Sequence, residues 1–175
     1  MTEKIKKLES VNYLKSSLIK ILNILLSFPS LLVFCFLLFY NNRFFIFITL
    51  LNLLICAFLV ITIKNIFKKR RPDEKYFKKR LFSNHYSMPS GHLSSNISLF
   101  FLLLILNNNI SYLFLITSIF VVIYKILNDE HDFLDLFFAI FVGLFSSIFS
   151  IFFYFYFSSI FTFIFDFIFS FIFFH

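Results

Sequence analysis

Pro89-Ser90-Gly91-His92 stands out in a chain of 175 residues that contains only two glycines and three prolines. One glycine and one proline fall within these four residues, and a second proline, Pro72, follows Arg71 in a basic run upstream. Glycine allows backbone conformations and close approaches that other residues do not. We therefore expect Gly91 to mark a backbone that lies directly against a bound group.

The sequence on both sides of this tetrapeptide is typical of a membrane protein. Hydrophobic residues make up 60% of the chain and aromatic residues 23%, and they occur in long runs rather than in alternating stripes. Because a bilayer core of ~30 Å requires about 20 helical residues, these runs predict an all-α, polytopic transmembrane helix bundle. We expect about six spans, near residues 18–40, 44–63, 91–106, 110–127, 131–155 and 158–173.

The length of the chain favours a single domain. Residues 1–16 are polar and basic, and we interpret them as an N-terminal segment that precedes an integral membrane domain over residues 17–175. In the tail, phenylalanine occupies alternate positions from Phe161 to Phe173, a pattern that would indicate a strand in a soluble protein. A lone strand in lipid would leave its backbone groups unpaired, so a helix is favoured there.

The basic residues are concentrated in the connection between the second and third predicted spans. The net charge is +7 and nine of the 16 lysines and arginines lie between Lys64 and Arg80. Between two spans, such a run faces lipid phosphates or a phosphorylated substrate rather than nucleic acid. Lys64 and Arg71 share a face if the helix of the second span continues to about Arg70. Taken alone, the run also fits a solvated loop that binds lipid headgroups.

The tetrapeptide lies where this connection turns into the third span. Ser90 can cap the new helix, and the amides around Gly91, together with the helix dipole, favour an anion at this point. His92 follows immediately, where it can give a proton to a departing oxygen. The alternative interpretation is a capped helix start that contains an incidental histidine.

A second candidate pair is formed by His131 and Asp135, which are four residues apart and would share a face of a helix. A carboxylate that holds one imidazole nitrogen fixes the tautomer and leaves the other nitrogen free for nucleophilic attack. The alternative is a helix start that is rich in acidic residues for reasons of the helix dipole, namely Asp129, Glu130 and Asp132. Zinc is a weaker explanation because His85, His92 and His131 lack the spacing of metal motifs and lie among basic residues. We therefore expect no metal and no cofactor.

The order of the spans brings these groups to one membrane face. The second span ends at Lys64, and the third begins at Gly91 on the same side. The fourth span returns to that side with Lys125, and His131 follows. Three polar clusters that are far apart in the sequence are therefore expected to form one site.

Two of these segments resemble signatures of the type 2 phosphatidic acid phosphatase superfamily. The first signature is a lysine, six residues, and then an arginine followed by a proline; Lys64, Arg71 and Pro72 have this spacing. The second signature is matched in full by residues 89–92.

The third signature of the superfamily is Ser-Arg, five residues, histidine, three residues and aspartate. His131 and Asp135 match it, whereas Tyr124 stands in place of the serine and Lys125 in place of the arginine. Lysine keeps the positive charge but not the bidentate fork of arginine. The resemblance covers residues 64–135 and implies the helical core that this superfamily shares with the vanadium haloperoxidases, which are soluble.

The resemblance implies a metal-independent phosphatase that works through a phosphohistidine. His131 would be the nucleophile, Asp135 would orient it, and His92 would protonate the leaving oxygen. The implied phosphate-binding groups are Lys64, Arg71, Ser90, Gly91 and Lys125.

The implied substrate is a lipid phosphate or diphosphate, such as a polyprenyl diphosphate, phosphatidylglycerol phosphate or phosphatidate. Membrane lipids would be the partners, and nucleic acid would not. Two alternatives stay open: a lipid phosphotransferase of the same fold, and an inactive scaffold or transport subunit. The family expectation is a multi-pass protein of a bacterial cell membrane or an endomembrane, with its active site on the outer or lumenal face. The positive-inside rule instead places the basic connection in the cytoplasm.

Overall fold

The structure is a computed structural model that describes residues 28–70, 86–128 and 130–173. These residues form five helices: α1 (Phe28–Phe39), α2 (Arg43–Phe67), α3 (Gly91–Ile105), α4 (Ser111–Leu127) and α5 (Phe133–Phe173). The prediction of an all-α fold is confirmed for this part of the chain. The predicted basic segment 1–16 and most of the basic connection lie outside the described residues, so the proposed division at residue 17 stays a prediction.

Helix α2 has a defined cap at each end. Its N-cap is Asn42, whose side chain accepts a hydrogen bond from the Phe45 backbone N–H at 3.3 Å. The helix ends at Phe67 because Lys68 adopts a left-handed conformation with φ 47°, and the Lys68 N–H donates to the Lys64 carbonyl. A left-handed cap of this kind satisfies an open carbonyl and turns the chain.

The end of α2 corrects one expectation from the sequence. A helix that continued to about Arg70 would have placed Lys64 and Arg71 on one face two turns apart, but α2 stops at Phe67. The left-handed residue ends the helix before the proline at position 72 can do so. Arg71 itself lies outside the described residues.

Helix α3 lies at the centre of the bundle and packs against α2, α4 and α5. Its buried residues Leu99 and Leu103 pack with side chains of α1 and α2, whereas Leu93 and Ile97 pack with side chains of α4 and α5. The first turn of α3 carries the end of the Pro-Ser-Gly-His segment. Packing against several neighbours therefore fixes the position of this segment.

A buried polar seam joins α2, α3 and α5. Asn52 donates from Nδ2 to Ser98 Oγ at 3.1 Å, and Ser150 Oγ donates to Asn52 Oδ1 at 3.3 Å. Ser147 Oγ donates to the Ser98 carbonyl at 2.7 Å. All four side chains are fully buried. Small side chains with satisfied hydrogen bonds let apolar helices approach closely, as in membrane bundles.

Gly143 marks the closest approach between α5 and α3. A Cβ atom added there would lie 2.6 Å from Ile97 Cγ2, 3.0 Å from Ile97 Cβ and 3.0 Å from the Ser94 carbonyl oxygen. The Ile97 methyl group can move, but its Cβ and the backbone oxygen cannot move without shifting α3. The site of contact is therefore intolerant of any side chain.

We expect Gly143→Ala to destabilise the bundle by about 1–3 kcal/mol, the usual cost of overpacking. This cost exceeds the gain of up to about 1 kcal/mol that alanine brings to a helix interior. Gly91→Ala is the matched control, because its added Cβ would meet only Val60 Cγ1, at 3.6 Å, among the described residues. Thermal unfolding in detergent should show a lower midpoint for Gly143→Ala alone, and equal midpoints would contradict the packing argument.

Two helices in the described part of the chain are long and apolar enough to cross a membrane, over Arg43–Phe67 and Phe133–Phe157. Helices α3 and α4 are apolar but have 15 and 17 residues. Large apolar side chains are exposed on the outer surfaces of several helices, among them Leu54, Phe58 and Phe145. These features are compatible with association with a membrane, and a bundle of six spans stays a prediction.

The fifth and sixth predicted spans meet at a kink rather than at a loop, and the kink lies at Phe157, between the two predicted ranges. Helix α5 has 41 residues, and only Phe157, with φ −107° and ψ 15°, departs from helical geometry inside it. The prediction of helix rather than strand for the tail is confirmed as far as Phe173, whereas a separate sixth span stays a prediction.

Candidate active site

Four helix ends meet at one end of the bundle. They are the C-terminal ends of α2 and α4 and the N-terminal ends of α3 and α5. Two backbone hydrogen bonds join these ends: Ser90 N–H donates to the Asp135 carbonyl at 3.3 Å, and Ser87 N–H donates to the Lys69 carbonyl at 2.9 Å. Segments that are distant in sequence are thereby held together at one place.

His131 and Asp135 lie side by side, although they do not lie on one helix. His131 Nδ1 is 3.4 Å from Asp135 Oδ2, and both side chains are buried. Helix α5 begins at Phe133, so His131 precedes it. The pair forms because Asp135 folds back over the helix start, where its Oδ2 accepts a hydrogen bond from the Asp132 N–H at 3.2 Å. This is the reciprocal half of a capping box.

Lys69 contacts the same carboxylate from the end of α2. Its Nζ is 2.7 Å from Asp135 Oδ1 and 3.0 Å from Asp132 Oδ2. Burial acts to lower the pKa of this ammonium, but the hydrogen bonds to Asp135 and Asp132 outweigh burial and raise its pKa above the usual value. Lys69 therefore remains a cation and keeps negative charge on Asp135.

Lys69 was missed by the sequence analysis. It lies in a run of basic residues, and nothing in the spacing of the motifs distinguishes it from its neighbours. Lys69 follows Lys68, whose left-handed conformation ends α2 and changes the direction of the chain just before Lys69. That conformation has no clear signal in a sequence of consecutive lysines and arginines.

Ser90 and Gly91 form the entrance to α3. Ser90 is the N-cap residue, but its side chain makes no capping hydrogen bond, so the prediction that it caps the helix is wrong. Its backbone instead binds Asp135, and its Oγ is fully buried without a hydrogen-bond partner among the described residues. A buried hydroxyl beside the positive end of a helix is a suitable donor for an anion. His92 follows, and it is half-buried.

Lys125 is buried near the end of α4 and contacts a carboxylate. Its Nζ lies 2.6 Å from Glu130 Oε2, and the Tyr124 hydroxyl donates to Glu130 Oε1 at 3.3 Å. The same Nζ is 5.0 Å from the centroid of the Tyr124 ring. Glu130 was read from the sequence only as an acid near a helix start, so its contact with both of these residues is a second feature that the sequence analysis missed.

The remaining predicted phosphate ligands are Lys64 and Arg71. Lys64 is buried in the last turn of α2, one turn before Lys68. Arg71 is outside the described residues, so its position relative to the site stays a prediction.

The site combines His131 with lysines and with carboxylates that already pair with these lysines. Lys69 binds Asp132 and Asp135, and Lys125 binds Glu130. Within the described residues, no group of three or more histidine, cysteine or acidic side chains is arranged to hold a metal ion. The arrangement can hold a nucleophilic imidazole against a carboxylate and can present positive charge to an anion.

Comparisons with known proteins identify the family of the chain. Neither a curated protein nor a solved structure gives a significant match to the chain. The sequence profile of the PAP2 (type 2 phosphatidic acid phosphatase) superfamily, however, matches residues 44–159, which is more than half of the chain and spans all three predicted signature segments. The chain therefore belongs to the PAP2 superfamily.

Proposed function

We propose that this protein is a membrane phosphatase that hydrolyses a lipid phosphate or diphosphate through a phosphohistidine at His131. The observation that carries the proposal is the contact of 3.4 Å between His131 Nδ1 and the buried Asp135. This pair lies beside the start of α3, because the Ser90 N–H donates a hydrogen bond to the Asp135 carbonyl. The family supports phosphatase activity in general. The lipid nature of the substrate is supported by the apolar, outward-facing helix surfaces.

In the first step, Asp135 favours the tautomer of His131 that carries its proton on Nδ1, which leaves the lone pair of Nε2 free. Nε2 attacks the phosphorus, an N–P bond forms, and the bond from phosphorus to the leaving oxygen breaks. His92 gives its proton to that oxygen. The carboxylate of Asp135 stabilises the positive charge that develops on the imidazole ring.

In the second step, water hydrolyses the phosphohistidine. His92, now neutral, accepts a proton from the attacking water, and the electrons of the N–P bond return to His131. Inorganic phosphate leaves. The negative charge in both steps would be stabilised by Lys64, Lys125, the Ser90 hydroxyl and the Gly91 amide, and by Arg71 as the resemblance implies.

The direct test is release of inorganic phosphate by the purified full-length protein in lipid nanodiscs. A panel of polyprenyl diphosphate, phosphatidylglycerol phosphate and phosphatidate identifies the substrate, and the His131→Ala protein serves as the background. Release by the wild type alone is the expected result. Transfer of the phosphate to a second lipid without release would favour the phosphotransferase instead, and no reaction with any substrate would favour the inactive subunit.

We expect this activity to survive chelation. The carboxylates beside His131 are held by lysines, Asp132 and Asp135 by Lys69 and Glu130 by Lys125, and divalent cations prefer several open oxygen ligands. Phosphate release should therefore be equal with and without excess EDTA. Loss of turnover in EDTA, with recovery on addition of magnesium or zinc, would contradict the mechanism proposed above.

A further inference from the structure

Glu130 contacts both residues at which the third signature departs from the family pattern. Lys125, in place of arginine, places its Nζ 2.6 Å from Oε2 of Glu130, and Tyr124, in place of serine, donates its hydroxyl to Oε1 at 3.3 Å. The two departures are therefore linked by one carboxylate. The Lys125 side chain is 4% exposed and that of Glu130 is 17% exposed, so this ion pair is shielded from most solvent screening.

We propose that the Glu130 carboxylate binds the ammonium group of Lys125 when no substrate is bound, and that the phosphate group of the substrate must displace this carboxylate to bind Lys125. Glu130 is thereby a specificity-determining residue that sets the affinity of the site for phosphate groups. This inference rests on the phosphatase function proposed above, because it assumes that Lys125 binds the phosphate.

The first argument is electrostatic. The lysine ammonium is a compact point charge, without the planar fork with which arginine binds two oxygens at once. A phosphate group that reached Lys125 while Glu130 remained in place would lie beside a carboxylate in a poorly solvated site, where like charges repel strongly. Exchange of one anion for the other avoids this repulsion.

The second argument is that the loop does not need the carboxylate to keep its shape. The Glu130 backbone N–H donates to the Lys125 carbonyl at 3.2 Å, and the Asn128 N–H and side-chain amide both donate to the Tyr124 carbonyl. None of these three bonds involves the Glu130 carboxylate, and together they hold Asn128 and Glu130 to the end of α4. The carboxylate can move away from Lys125 towards solvent without breaking any of these bonds.

The test measures binding of inorganic phosphate to the full-length protein by isothermal titration calorimetry, alongside KM and kcat for the best lipid substrate. Glu130→Gln keeps the shape of the side chain and removes its charge. We expect it to tighten phosphate binding and to lower KM by about tenfold, the scale of one charge-assisted hydrogen bond in partial competition with water. The kcat should change much less.

Three further variants locate the cause of this effect. Tyr124→Phe removes one donor to Glu130 and should tighten phosphate binding in the same direction but less. Asp132→Asn makes the same charge change two residues away, at a carboxylate that pairs with Lys69 rather than Lys125, and should alter the phosphate Kd by less than about threefold because that carboxylate is half exposed. In a Lys125→Ala background, Glu130→Gln should change the phosphate Kd much less than it does in the wild type, because the carboxylate then competes for no ammonium.

An unchanged or weaker phosphate affinity in a folded Glu130→Gln protein would overturn the inference, and so would equal tightening by Asp132→Asn. Circular dichroism and the unfolding midpoint establish that the variant is folded. The failure of the proposed function has a different signature: no variant would release phosphate from any lipid. The calorimetric comparison would then still decide whether Glu130 competes with phosphate for Lys125.

Discussion

Replacement of His131 by alanine should abolish turnover and the covalent phosphoenzyme together. The only route to product in the proposed mechanism passes through an N–P bond at this residue, so we expect turnover to fall by at least ~10⁴-fold, as when a nucleophile is removed. His131 is buried and lies 3.4 Å from Asp135, which supports an imidazole that becomes positively charged as it attacks. The measurement is a rapid quench with radiolabelled lipid phosphate, followed by peptide mapping at alkaline pH, where phosphohistidine persists.

His92→Ala is the matched control, since it removes the other histidine of the site. His92 lies in the first turn of α3, where the positive end of the helix disfavours a permanent cation and suits a residue that only passes a proton. We expect turnover to fall about 10²- to 10⁴-fold, the range for a general acid, while some label still forms on His131. Label that maps to His92, or that persists in the His131→Ala protein, would reverse the two roles.

Much of the fold followed from the sequence because the apolar runs are long and the breaks between them are sharp. The starts of α2 at Arg43 and α3 at Gly91 lie within a residue of the predicted positions. The end of α2 was predicted less well, since the left-handed Lys68 stops the helix by a conformation that a run of basic residues does not signal. The boundary between the fifth and sixth predicted spans, near residues 156–157, coincides with the kink at Phe157 inside α5.

Part of the candidate site could also be predicted from the spacing of residues in the sequence, and part could not. Spacing along the chain identified His131 and Asp135, and the structure places them side by side. It did not identify Lys69, because its contact with Asp135 depends on how the ends of α2 and α5 meet in space. It did not identify Glu130, because its contact with Lys125 depends on the turn that follows α4 and not on helical spacing. A contact such as Lys69 with Asp135 joins residues that are 66 positions apart. Charge alone did not single out either residue.

Asp135 contacts residues from several of the segments that form the candidate site. Its two oxygens receive Lys69 Nζ at 2.7 Å and the Asp132 N–H at 3.2 Å, with His131 Nδ1 at 3.4 Å, and its carbonyl accepts from Ser90. The carboxylate is fully buried. A substitution of Asp135 therefore alters the orientation of His131 and also removes one of the two carboxylates that pair with Lys69.

We expect Asp135→Asn to lower kcat by about 10²- to 10⁴-fold, because an amide no longer stabilises the positive charge on His131 and can select the wrong tautomer. Label should still accumulate slowly on His131, in contrast to the His131→Ala protein. Single-turnover labelling separates these two variants, since it reports formation of the N–P bond without the hydrolysis that follows.

Asp132→Asn provides the control for Asp135→Asn, because both remove a carboxylate from Lys69 but only Asp135 contacts His131. The Asp132 side chain is 52% exposed, and a pair at such a position contributes little, so we expect kcat to fall by less than about tenfold. A loss as large as that for Asp135→Asn would mean that neutralising Lys69, rather than orienting His131, is what the buried carboxylate does. If both variants kept full activity, the contact between His131 and Asp135 would not be needed for catalysis, and the main support for the phosphohistidine mechanism would be removed.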